Sequence, residues 1–146
     1  MAVFLEILAL FFCGTFFGAA VYISIAQHPA TLQTGVPFGA AFFPPMYGLA
    51  APMQIVCALV GTLAGIGMYL LGAGLVWLIG AGLLLFVIPF TIVVLKPIND
   101  QLLDSKAVRS EEETAKLLNL WGPRHWIRSI ASGLSFLAYL YASIAA

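Results

Sequence analysis

Between Glu6 and Lys96 the chain carries no charged side chain. A water-soluble domain has about 25% charged residues; this chain has 8%, against 62% hydrophobic. Its mean hydropathy is +1.05. A soluble core has no use for so much apolar surface, and the sequence reads as an integral membrane protein whose first partner is the lipid bilayer. One span takes roughly 20 apolar residues, so four nearly use up the 146 residues. The expected fold class is all-α: a single-domain integral membrane four-helix bundle. The formal net charge is zero, which offers nothing to nucleic acid.

The spans are expected at about residues 3–28, 46–71, 75–95 and 124–144. The first run is expected to stay as a span, since a signal peptide opens on a basic segment and has an apolar core of about 7–15 residues. Pro29 disfavours helical geometry at His28, so the first span should end there. "TLQTGVPFGAAFFPP" suits an interfacial loop with its rings at headgroup level. Pro44 and Pro45 precede the second span, where proline costs little, and Pro52 marks either a kink or a later start. "GAG" at 72–74 makes the next turn tight. Ser110 followed by Glu111, Glu112 and Glu113 reads as an N-cap with acids in the first turn. A short interfacial helix from 111 to about 120 should follow, interrupted by Gly122 and Pro123 before the fourth span.

Cys13 and Cys57 lie far apart inside apolar runs, with no C-x-x-C pair and no zinc-type spacing. Both read as small packing residues. Gly14-x-x-x-Gly18 and Gly61-x-x-x-Gly65 let helices approach closely in lipid. Packing within the chain is favoured, and packing between chains, as a homo-oligomer or in a larger membrane complex, is the alternative.

The chain has only two histidines. His28 ends the first span, Asn99 follows the third, and Trp121, His125 and Arg128 open the fourth, so all five fall at one end of the bundle. Trp121, His125 and Arg128 are spaced i, i+4, i+7 and share one stripe if the helix tolerates Pro123. Ser24, one turn before His28, shares its face. An ionisable residue within a span usually faces the bundle interior or a water-filled cavity, although Arg128 is close enough to the boundary to snorkel. Plainer readings exist: His28 as a polar helix end, Asn99 as a loop cap, Trp121 as a belt aromatic, and Glu6 as an isolated interfacial acid. Two histidines with no carboxylate or thiolate beside them make a poor metal site, so no metal is expected.

"GAAVYISIAQHPA", "APMQI", "KPINDQL" and "WGPRHWIRS" together resemble the pattern of a family of small four-helix membrane proteins that includes the fungal anthrone oxygenases. Gln27 departs from it, standing where an acid is expected in many relatives. The resemblance implies a four-helix membrane bundle. For one branch it also implies oxidation of an anthrone to a quinone by molecular oxygen, without metal or organic cofactor. Most of the family has no assigned activity.

Carried onto this chain, the matching positions are His28, Asn99, Trp121, His125 and Arg128. The chemistry needs a base, for which histidine is suited, and donors for an oxyanion, for which Arg128 and Asn99 are suited. It also needs an apolar slot, which Trp121 and Tyr22 would line, with Ser24 beside it. The expected function is thus a cofactor-independent oxygenase acting on a lipid-soluble aromatic or quinone-like small molecule. The alternatives are a non-catalytic binder of a hydrophobic ligand and a small accessory subunit; the subunit would turn Gly61 and Gly65 outward.

All six lysines and arginines lie from Lys96 to Arg128, and basic residues mark the cytoplasmic side. Residues 29–45 and 96–121 are therefore expected in the cytoplasm and both termini outside a plasma or inner membrane. A reporter enzyme active only outside, fused after Ala146, should be active. An inactive fusion there with an active one in the 100–110 loop would reverse the orientation.

Overall fold

Backbone amides in hydrocarbon can bond only to one another, and this chain answers with helix almost throughout. The computed structural model describes residues 1–145, and no strand occurs among them. Helix α1 (Ala2–Tyr22) passes through a π turn (Ile23–Gln27) into α2 (His28–Thr34). Gly35, at φ 112°, turns the chain into α3 (Val36–Leu70). After a tight turn come α4 (Leu75–Phe90), a second π turn (Thr91–Leu95) and α5 (Lys96–Leu103). Helix α6 (Glu111–Ile144) closes the bundle. These make four rods of 29 to 35 residues, each long and apolar enough to cross a membrane.

Three expectations are corrected here. Residues 29–45 are helical apart from Gly35, not an interfacial loop. His28 is helical too, at φ −67° and ψ −46°. Helix α6 runs unbroken through Gly122 and Pro123, so the short helix expected before the fourth span is its first turns.

A single cause covers much of this. Proline lacks an N–H, and its ring collides with the carbonyl four residues back. Before Pro29 the His28 N–H bonds to the Ile23 carbonyl, five residues back, and before Pro97 the Lys96 N–H bonds to that of Thr91 in the same way. Each widened turn makes room for the proline ring without ending the rod. Prolines 44, 45 and 52 lie inside α3, where leaving the helix would strip several more backbone groups of their partners.

The rods pack in the ring order α1, α3, α4, α6 and back to α1. Tyr139 joins them at the centre: its hydroxyl donates to the Gly61 carbonyl at 3.0 Å and its ring stacks on Trp77 at 5.2 Å. The ring lies against Gly65 and Gly80, while Gly61 packs on Cys13 and Leu84. Gly61 and Gly65 are therefore turned inward, the opposite of what a docking stripe requires. Cys13 and Cys57 are buried and unpaired. Ser143 donates to Glu6, which ties α6 to α1 at the terminal end. At the other end Ser110 and Glu113 form the expected capping box. Phe4, Phe11, Leu49, Leu63 and Leu137 stand exposed on the outside, as lipid-facing residues do.

The Gly65 contact gives a direct test of this packing. Gly65→Val would drive a side chain into Tyr139 and should destabilise the bundle by about 1–3 kcal/mol or more. Gly48→Ala, where nothing lies within 4 Å, should be tolerated. Unfolding midpoints in detergent that are equal for the two variants would contradict the packing.

Candidate functional site

The i, i+4, i+7 stripe exists because α6 stays helical past Pro123, and it faces inward. Trp121, His125 and Arg128 line a cavity of about 390 Å³ at the end of the bundle that carries Lys96 and Asp100. Helix α3 supplies one wall through Tyr47, Ala50, Ala51, Gln54 and Ala58, where the alanines leave the space. The third rod supplies another through Val87, Ile88, Thr91 and Leu103, and Phe16 and Ile23 of the first rod close the back.

His125 is 1% exposed. Its Nδ1 lies 2.9 Å from Ser24 Oγ, which lies 2.9 Å from Ser129 Oγ. The direction of this chain sets the tautomer. If Nδ1 carries the proton, it donates to Ser24, Ser24 donates to Ser129, and Nε2 keeps a free lone pair. Run the other way, Nε2 becomes the donor.

Arg128 is the electrostatic anomaly of the site. One guanidinium nitrogen donates to Gln54 Oε1, and the group sits 5.3 Å from the Phe16 ring centroid. Its Nε is buried without a partner, as is Gln54 Nε2. Among the described residues the ion pairs are Lys96–Asp100 and Lys116–Glu112, so no carboxylate neutralises Arg128. One amide and one ring face, at roughly 0.5–2 kcal/mol for a cation–π contact, do not match the several kcal/mol lost on desolvating such an ion. Asp100, the carboxylate on this cavity, is paired with Lys96 and not with Arg128.

Trp121 is clamped. Its Nε1 donates to Asn99 Oδ1 at 2.8 Å. Its ring stacks on His125 at 4.5 Å, lies 5.0 Å from His28, and meets the edge of Phe43 at 5.6 Å. Trp121, Ile23 and Met46 border both the large cavity and a second, water-sized cleft of about 10 Å³. His28 belongs to that cleft, with its Nε2 buried and unpartnered.

Measured against the expected site, His125, Arg128 and Trp121 are together at the cavity. His28 does not share it, because its ring lies against Gly122 of α6: a Cβ there would stand 2.9 Å from Nε2. Asn99 lines neither space and orients Trp121 instead of meeting a ligand. Ser24 contacts His125 and does not line the cavity. Tyr22 lies on the outer surface, 60% exposed, since the π turn that buries Ile23 and Ser24 begins one residue later. Gln54, Phe16, Ser129 and Gly122 were not foreseen. Only Gln54 had a usable signal, as an amide deep within an apolar span. Among the described residues no three of His, Cys, Asp and Glu come together as a metal-binding group would.

Gly122→Ala should push His28 off Trp121. Mass-spectrometric mapping of imidazole acylation should find His28 protected in the parent and modified in the variant. Equal protection would contradict the close approach.

Neither the curated proteins nor the solved structures yield a match. The family model described as anthrone oxygenase matches residues 38–138, a stretch that holds Gln54, Asn99, Trp121, His125 and Arg128 but not Ser24 or His28. That match covers more than half of the chain, which therefore belongs to the anthrone oxygenase family.

Proposed function

We propose that the 390 Å³ cavity is the active site of an oxygenase for a lipid-soluble, ionisable aromatic of the anthrone type. The observation that carries this reading is the uncompensated Arg128 beside His125 on one apolar wall. A substrate that becomes an anion during reaction would supply the missing charge where a base stands ready to create it.

The steps follow from the residues. His125 Nε2, with its lone pair free when Nδ1 donates to Ser24, takes the acidic C–H proton of the anthrone. Negative charge moves to the carbonyl oxygen, which Arg128 holds, and such preorganised donors are usually the largest single contribution to catalysis. The electron-rich anion passes an electron to dioxygen, and the two radicals combine to a peroxide that takes one proton. Loss of water from the hydroperoxide leaves the quinone, so that anthrone and O₂ give quinone and H₂O. Dioxygen is the oxidant throughout. Trp121, fixed by Asn99, provides a flat wall for the ring system. In this reading the site lies on the cytoplasmic side, as the placement of lysines and arginines suggests.

His125→Ala should lower the rate of oxygen uptake with an anthrone by about 10²–10⁴-fold, the usual worth of a general base. Arg128→Gln should cost a comparable factor, while both variants stay folded. Saturable binding without any turnover in the parent would favour the ligand-binder alternative.

A further inference from the structure

The cavity has two edges of opposite chemistry. At the charged end Lys96 and Asp100 pair with each other at 2.6 Å, both about half exposed. At the side, Ile55 and Leu59 of α3 and Ile92 of the second π turn line the cavity and are also exposed on the outer surface, at 54%, 43% and 57%. Helix α3 packs along α4 and touches α5, but it has little contact with the π turn between them. The rim at this gap is wholly apolar. Ile92 lies one turn beyond Lys96, in a rod with no charge between Leu75 and Leu95, so the gap opens at hydrocarbon depth.

We infer that this gap is a side door through which the cavity receives, from the bilayer itself, a neutral weak acid that ionises only on reaching Arg128. This deepens the proposed function and rests on its reading of the cavity as the ligand site. A permanent anion would have to cross hydrocarbon to pass Ile55, Leu59 and Ile92, at the cost of several kcal/mol that desolvating a charge carries. A protonated phenol or enol crosses freely, and only inside does the guanidinium favour its charged form. The Arg128 guanidinium, which lines the cavity and pairs with no carboxylate, is the donor for the resulting oxyanion. The class selected is therefore an apolar aromatic with an ionisable oxygen, not a sulfonate or a carboxylate that stays charged.

The test uses protein in vesicles and a hydroxyanthraquinone, a coloured probe that cannot turn over, read by quenching of tryptophan fluorescence. At fixed protein, doubling the lipid should double the total probe needed for half-saturation, because occupancy follows its mole fraction in the bilayer. Leu59→Phe with Ile92→Phe should slow association from the membrane by about tenfold. An anthraquinone sulfonate should not associate from the membrane. Half-saturation that follows the aqueous concentration, unchanged rates in the double variant, or sulfonate binding as fast as the phenol would each overturn the side door. Arg128→Gln separates the two readings: unchanged affinity for the phenol would refute the cavity as the oxyanion site. Lost affinity combined with entry from water would refute the door alone.

Discussion

The bond from Arg128 to Gln54, in place of one to a carboxylate, is the interaction on which the rest of the site depends. A guanidinium partly buried among apolar helices is normally balanced by an acid, and breaking a fully buried ion pair costs about 3–5 kcal/mol. Here the amide is neutral and the charge stays unsatisfied. That arrangement is poor for stability and good for binding, since a ligand bearing an oxyanion gains what the protein lacks. The alanines at 50, 51 and 58 give such a ligand room, and Trp121 gives it a surface.

Both π turns serve the same end of the bundle. Each is forced by a proline following its closing residue, and each adds a residue to a rod that would otherwise be regular. In the first rod the shift turns Ser24 toward His125 and leaves Tyr22 to lipid. In the third it places Thr91 and Ile92 on the cavity and holds the wall away from α3. Widened turns of this kind are frequent at functional sites, and here they fix which side chains the cavity receives.

The sequence made the four rods legible because charge is confined to one region, and made His125 and Arg128 legible because a stripe survives any cap placement. It hid the remainder for definite reasons. Pro29 read as a stop, and Pro44 and Pro45 as the start of a span, by local preference, yet in lipid a helix with missing donors is better than a loop with many unsatisfied groups. Ser24 was placed beside His28 by a regular helical period that the π turn does not keep. His28 was assigned to the shared pocket because both histidines lie at one end. Its actual position depends on the absence of a Cβ at Gly122, a contact between distant residues that no local pattern reports.

The chain belongs to the anthrone oxygenase family, and the matched stretch contains most of the residues that line the cavity. The central claim is that Arg128 and His125 together hold the oxygen of an ionised aromatic ligand. The most direct measurement is a crystal structure grown from a lipidic phase with a hydroxyanthraquinone present. The account predicts planar density against Trp121, with an oxygen within hydrogen-bond distance of the Arg128 guanidinium and facing His125 Nε2. Density lodged instead in the His28 cleft, or a cavity filled by lipid with Arg128 swung out to water, would contradict it.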